Sequence, residues 1–206
     1  MKSKHLNTIG VASALVVASA LIFGAAPTTT ARGNVLPDPH TARRAAAVTD
    51  PQIAAIVVAA NTVDIEAGKL AQSKTRNEKV KQFADTMVTD HTAVNKAAVE
   101  LVTKLGVTPE ESETSRGLTA SGEQTRARLS GLSGKEFDRE YIANEVAYHK
   151  LVIDAVDKTL IPNAQNAELK ATLVSVRPAL VAHLKHAEQL QAELGGKKPS
   201  KATHKH

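Results

Sequence analysis

Residues 166–196 read NAELKATLVSVRPALVAHLKHAEQLQAELGG. Leu169, Leu173, Val176, Leu180, His183, Ala187, Leu190 and Leu194 recur at alternating spacings of four and three. That is a heptad seam, the pattern of a helix packed lengthwise against other helices. Asn166 is a capping residue placed just before the seam, and Gly195-Gly196 ends it. Pro178 sits inside this helix and is expected to bend it.

Working outward from the C-terminal seam, three more stretches carry helix starts, stripes and stops. One opens at Ser133-x-x-Glu136, a capping-box pattern, and ends before Pro162, with Ile142, Val146, Ile153, Val156 and Leu160 as its seam. Another opens at Thr75-x-x-Glu78 and stops at Gly106, with Val80, Phe83, Ala84, Met87, Val94, Ala98 and Leu101 on one face. The first starts at Asp50-Pro51 and runs to about Lys74, with Ile53, Ile56, Val57, Ala60, Val63 and Ala67 in line. Short turns near Thr75 and Pro162 make two antiparallel hairpins. The connection 107–132 is too long for a turn and has room for a short extra helix over Thr119 to Leu129. The expected fold is all-α: a ferritin-like up-down four-helix bundle of two hairpins joined by a long crossover.

Composition narrows the function classes. The 206 residues include no Cys, which excludes disulfides, thiolate metal sites and thiol catalysis. Three Phe, two Tyr and no Trp leave no stacking platform for single-stranded nucleic acid. The net charge of +5 belongs to the ends. Lys2 and Lys4, the Arg-rich stretch from Arg32 to Arg44, and Lys197, Lys198, Lys201 and Lys205 account for +8, so the region between carries −3. A basic groove for nucleic acid is therefore not expected.

Residues 1–31 have the pattern of an export signal: Lys2 and Lys4, then an apolar run from Val11 to Ala26. Cleavage after Ala31 is favoured over Ala26, where Pro27 follows the cut; an uncleaved anchor is the rival reading. Export to the periplasm or the exterior follows in either case. The remaining divisions are a linker over 32–48, the bundle over 49–195 and a disordered basic tail over 196–206. No second long apolar run exists, so no integral membrane domain is expected once the signal is removed.

The informative residues interrupt the apolar stripes. Asp64 lies four after Ala60 and three before Ala67, and His91 lies four after Met87 and three before Val94. Glu145 and His149 stand one turn apart, and His183 holds a seam position between Leu180 and Ala187. Every long helix thus points an ionisable group at the bundle axis, which is costly unless the groups pair or bind a cation. Imidazoles and carboxylates at these spacings suit zinc, copper(II) or iron. Two readings stand: a metal site built from Asp64, His91, Glu145, His149 and His183, or two structural pairs, Asp64–His91 and Glu145–His183. The di-iron pattern fails, because neither His91, His149 nor His183 has a Glu three positions before it. No nucleophile elbow, phosphate-binding loop or H-E-x-x-H motif is present, so no catalytic residue is assigned and a non-enzyme is favoured over an enzyme.

Four segments also carry a resemblance. Asp64-Ile65-Glu66-Ala67-Gly68-Lys69-Leu70-Ala71 is similar to an E-x-E-x-G-x-L-A stretch, and Met87 to His91 to an M-x-x-D-H motif. Leu132-Ser133-Gly134 with Phe137, Asp138 and Tyr141 matches L-S-G-x-x-F-D-x-x-Y, and His183-Leu184 before Ala187 matches H-L-x-x-A. Together they resemble the secreted bacterial "domain of unknown function" family four-one-four-two, over about residues 50–194. The resemblance implies export and a ferritin-like helical bundle; it implies no activity. Asp64 departs from it, standing where the family has Glu. The function these readings support is an exported bundle protein of no assigned biochemical activity that binds a transition metal through core His and carboxylates, in metal or oxidative-stress handling, or alternatively a non-enzymatic envelope structural or stress-associated protein with a purely structural polar core.

Overall fold

A computed structural model describes residues 47–195. The expected signal, most of the linker and the basic tail lie outside the described residues. Within them the chain is helical: α1 (Asp50–Lys74), α2 (Glu78–Lys104), α3 (Glu113–Ser130), α4 (Gly134–Ala155) and α5 (Ala167–Leu194). None of these helices is long and apolar enough to cross a membrane.

Side chains at the helix starts refine the expected boundaries. The cap of α1 is Thr49, whose hydroxyl accepts from Gln52 N while the Gln52 side chain accepts from Thr49 N. Asp50 is thereby freed to accept from the backbone of Gln165 and Asn166, tying the start of α1 to the start of α5. The cap of α2 is Asn77 and not Thr75, because Asn77 Oδ1 reaches Lys79 N and Val80 N. Thr75 instead donates to Asp138 of α4 at 2.6 Å. Ser133 caps α4 by position but makes no side-chain cap hydrogen bond; Gly134 next to it has φ +57°, which a glycine adopts without strain.

Two departures involve length. The helix that begins at Gly134 does not end before Pro162. It passes through a π-helical turn, Val156–Leu160, and a last turn, Ile161–Asn163, that contains the proline. The π turn directly before Pro162 is the local adjustment that lets the chain stay helical past a residue with no N–H. The crossover helix α3 is 18 residues long rather than the short Thr119–Leu129 piece, because Ser112 and Ser115 form a capping box well upstream. Pro178 lies inside an α5 that continues without a break from Ala167 to Leu194.

Cross-helix contacts set the topology. Gly68 against Ala84 and Val88, with Asn61 against His91, makes α1 and α2 antiparallel. Asp157–Arg177 and Arg139–Leu194 do the same for α4 and α5. Tyr148–Ala60 and Thr75–Asp138 set α4 antiparallel to α1, and Lys79–Glu193 and Lys104–Glu168 set α5 antiparallel to α2. Hence α2 and α4 point the same way, and the chain between them must return along the bundle. That return is α3, which runs parallel to α1: Gly122 meets Val63, Arg126 meets Glu66, and the Ser130 carbonyl meets Lys74.

The core is split in two. One apolar cluster, with Phe83, Met87, Phe137, Tyr141 and Ile142, fills the end near the α1–α2 turn. The other, with Ile53, Ile56, Val156, Leu160, Leu169 and Leu173, fills the opposite end. Between them lies a buried polar layer of Asn61, Asp64, His91, Glu145, His149 and His183.

Candidate metal centre

Each long helix contributes to the layer at the point where its apolar stripe is interrupted. In the α1–α2 hairpin, Asn61 and not Asp64 is level with His91; the three-residue offset is spanned by the side chains, bringing Asp64 Oδ2 to 3.0 Å from His91 Nε2. In the second hairpin the extra turns before Asn166 shift the register. His183 comes level with Lys150, beside His149, and not with Glu145. The anticipated Glu145–His183 pair therefore does not form. His183 Nε2 meets Asp90 Oδ2 at 2.9 Å, and Glu145 faces His149, its Oε2 lying 3.6 Å from Nδ1.

The three imidazoles nonetheless converge. Ring centroids are 5.8 Å apart for His91–His149, 5.4 Å for His91–His183 and 5.5 Å for His149–His183. One nitrogen from each of the three lies within 4.8 Å of the others, and Asp64, Glu145 and His149 form a second such group. His149 joins the two, so all five residues singled out on the stripes share one buried layer.

Hydrogen bonding fixes which nitrogens face inward. Asn61 Nδ2 donates to the Val57 carbonyl, leaving Oδ1 to accept from His91 Nδ1 at 2.6 Å. His149 Nδ1 donates to the Glu145 carbonyl at 3.0 Å, and His183 Nε2 donates to the Asp90 carboxylate. Each ring thus spends one N–H on an acceptor outside the cluster. What remains is His91 Nε2, His149 Nε2 and His183 Nδ1, and none of the three has an aligned hydrogen-bond partner. Both oxygens of Asp64 and both of Glu145 are in the same condition. The 3.0 Å approach of His91 Nε2 to Asp64 is close but misaligned for a hydrogen bond. A ring nitrogen and a carboxylate oxygen that close, with no hydrogen bond between them, are placed so that a cation between them would satisfy both.

The electrostatics of the two carboxylates diverge. Burial pushes the Glu145 carboxyl well above the usual range, and the Asp64 charge beside it pushes it further. Burial also pushes Asp64 upward, yet the close approach and charge of the His91 ring, the charge of His149 and the neighbouring Glu145 carboxyl together hold it below the ordinary value. Without metal, these shifts favour the charged form of Asp64 and the protonated form of Glu145. Burial drives the His149 and His183 imidazoles down, towards the neutral form that ligates metals. Tyr141 and Tyr148 are pushed up, first by burial and then by these carboxylates, so both phenols keep their protons.

Three residues in or against the layer were not singled out from sequence: Asn61 within it, and beside it Asp90 and Tyr148, whose hydroxyl donates to the Ala60 carbonyl. Asp90 precedes His91 within the M-x-x-D-H segment, the one sequence signal that marks it. Asn61 stands one turn before Asp64 on the same stripe. Next to the layer, towards the Leu169 end, is a cavity of about 440 Å³ with Asp64, His91, His149 and His183 on its wall.

Comparison with known proteins agrees with the fold. The structure is similar to the crystal structure of a secreted DUF305 protein from Streptomyces coelicolor, with a TM-score of 0.61 and 13% identity, over 72% of this chain and 95% of that one. Among curated proteins nothing matches the chain. The family model "Domain of unknown function (DUF4142)" matches residues 36–190, and the chain belongs to that family.

Proposed function

We propose that the protein is an exported metal-binding bundle that holds one divalent transition-metal ion through His91, His149 and His183, with Asp64 as the anionic ligand. Glu145 is the further carboxylate within reach once its proton leaves. The observation that carries this reading is the set of inward imidazole nitrogens, each orphaned while its ring's other N–H is anchored from outside. Anchored outer nitrogens orient and polarise histidine ligands in metal sites. Purely structural pairing accounts less well for the layer, because it leaves these nitrogens and both carboxylates unsatisfied at a cost of about 1–3 kcal/mol each. Three imidazoles and a carboxylate suit zinc, copper(II) or iron(II). The lysine-rich start and apolar run of residues 1–31 support export, and the role is binding rather than catalysis.

Thermal unfolding of metal-stripped protein, repeated with Zn²⁺, Cu²⁺ and Fe²⁺, tests the reading. Ligand at a hundred times its dissociation constant adds about 2.7 kcal/mol. In a domain of this size that raises Tm by roughly 5–10 °C. The rise is expected to survive deletion of residues 196–206, which carry His204 and His206, and to vanish in His91→Ala. No shift with any metal would leave the structural reading in its place.

A further inference from the structure

The cavity beside the layer has a chemistry of its own. Its wall on α1 runs from Ala54 to Asp64, about 15 Å of helix. On α2 it runs from Asp90 to Val102, about 18 Å. It is therefore elongated along the bundle axis. Its volume falls within the ~300–1,000 Å³ of small-molecule sites. Away from the histidine end the wall is built largely of Ala, Val, Leu and Ile, with a few threonines; Tyr148, close to that end, is its only aromatic besides the imidazoles. An aliphatic guest fits such a wall better than a planar aromatic one, which would find little to stack on.

The cavity also has a mouth. The contacts Lys79–Glu193 and Lys104–Glu168 fix the antiparallel register of α2 and α5. In that register Ala93 and Ala179 stand level across the seam, and both line the cavity while being exposed to solvent. Two level alanines that are both on the cavity wall and open to solvent mark where the cavity reaches the surface, about a turn from the Asp90–His183 pair.

We infer that this cavity binds a single-chain aliphatic carboxylate, its chain along the bundle axis and its head at the metal held by the histidine layer. The inference rests on the metal reading above. A metal ion supplies the one positive charge to which such a head can attach; without it the head would face the Asp64 oxygens. The chain then displaces solvent from apolar wall, worth about fourfold in affinity per methylene at 0.8 kcal/mol each.

The test uses purified protein whose metal content is measured before any carboxylate is added. Octanoate, decanoate, dodecanoate and hexadecanoate are then titrated calorimetrically into metal-loaded and metal-free protein. Affinity is expected to rise about fourfold per methylene until the cavity is full and then to level off. Metal-free protein is expected to bind at least tenfold more weakly. Filling the far end with Ala98→Leu and Ala54→Leu should lower the affinity for the longer chains while metal content stays at one per chain. Metal uptake with no carboxylate binding, binding equal with and without metal, or binding insensitive to chain length would each overturn the inference and leave the metal reading intact. Failure of metal uptake would instead overturn the metal reading, and this inference with it.

Discussion

Asp64 and Glu145 sit in one buried layer that shifts their carboxyls in opposite directions, Asp64 down and Glu145 up. The raised Glu145 carboxyl makes a definite prediction for the metal-free protein. A carboxyl whose folded-state pKa is raised contributes stability fully below its unfolded value near 4.3, and loses it as pH rises through the folded value. Glu145→Gln keeps the shape and removes that loss. The substitution is therefore expected to raise the metal-free Tm at pH 7 and to leave it nearly unchanged at pH 4; a drop at pH 7 would contradict the assignment. Asp90 acts one step out, holding His183 through its Nε2–H. Asp90→Asn is expected to weaken metal binding by about 10–100-fold, measured by competition with a chelator, with one ion still bound. Asp64, His91, Glu145, His149 and His183 were legible in sequence because each breaks an apolar stripe. Asp90 was not, since a polar residue beside a polar surface gives no such signal and its role depends on cross-helix register.

At the scale of elements, α3 and α1 approach closely at a glycine. A Cβ on Gly122 would lie 2.6 Å from Val63 Cγ2 and 2.8 Å from Cγ1. A valine in a helix has one strongly preferred rotamer and little freedom to yield. Gly122→Ala is expected to destabilise by about 1–3 kcal/mol despite alanine's better helix propensity, read from denaturant unfolding. Adding Val63→Ala should recover most of that loss, since it removes the clashing methyls. The extent of α3 was only partly legible. It is rich in Ser, Thr and Arg, and its buried residues are just Ser115 and Leu129, too few to make a stripe. The long helices were legible from their seams, but their caps were less so. Thr49 and Asn77 compete with Asp50 and Thr75 for the same backbone N–H groups, and which one caps is decided by what else each side chain can reach.

For the whole molecule, the two hairpins with a long return between them follow from the seams and the turn lengths. Their relative height did not, because the crossover hides it and the π turn lengthens the helix before α5. That height decides the function proposed here: it sets His91 of the first hairpin beside His149 and His183 of the second. A metal ion bound there would tie the two hairpins together across the axis.

The most direct test is a titration of metal-free protein with Co²⁺, followed by visible absorption. Ligand-field bands that saturate at one equivalent per chain are predicted, abolished by His149→Ala and retained in His186→Ala, whose ring packs on Phe83 outside the cluster. Absorbance that stays flat, or bands unchanged by loss of His149, would contradict a metal centre in the layer.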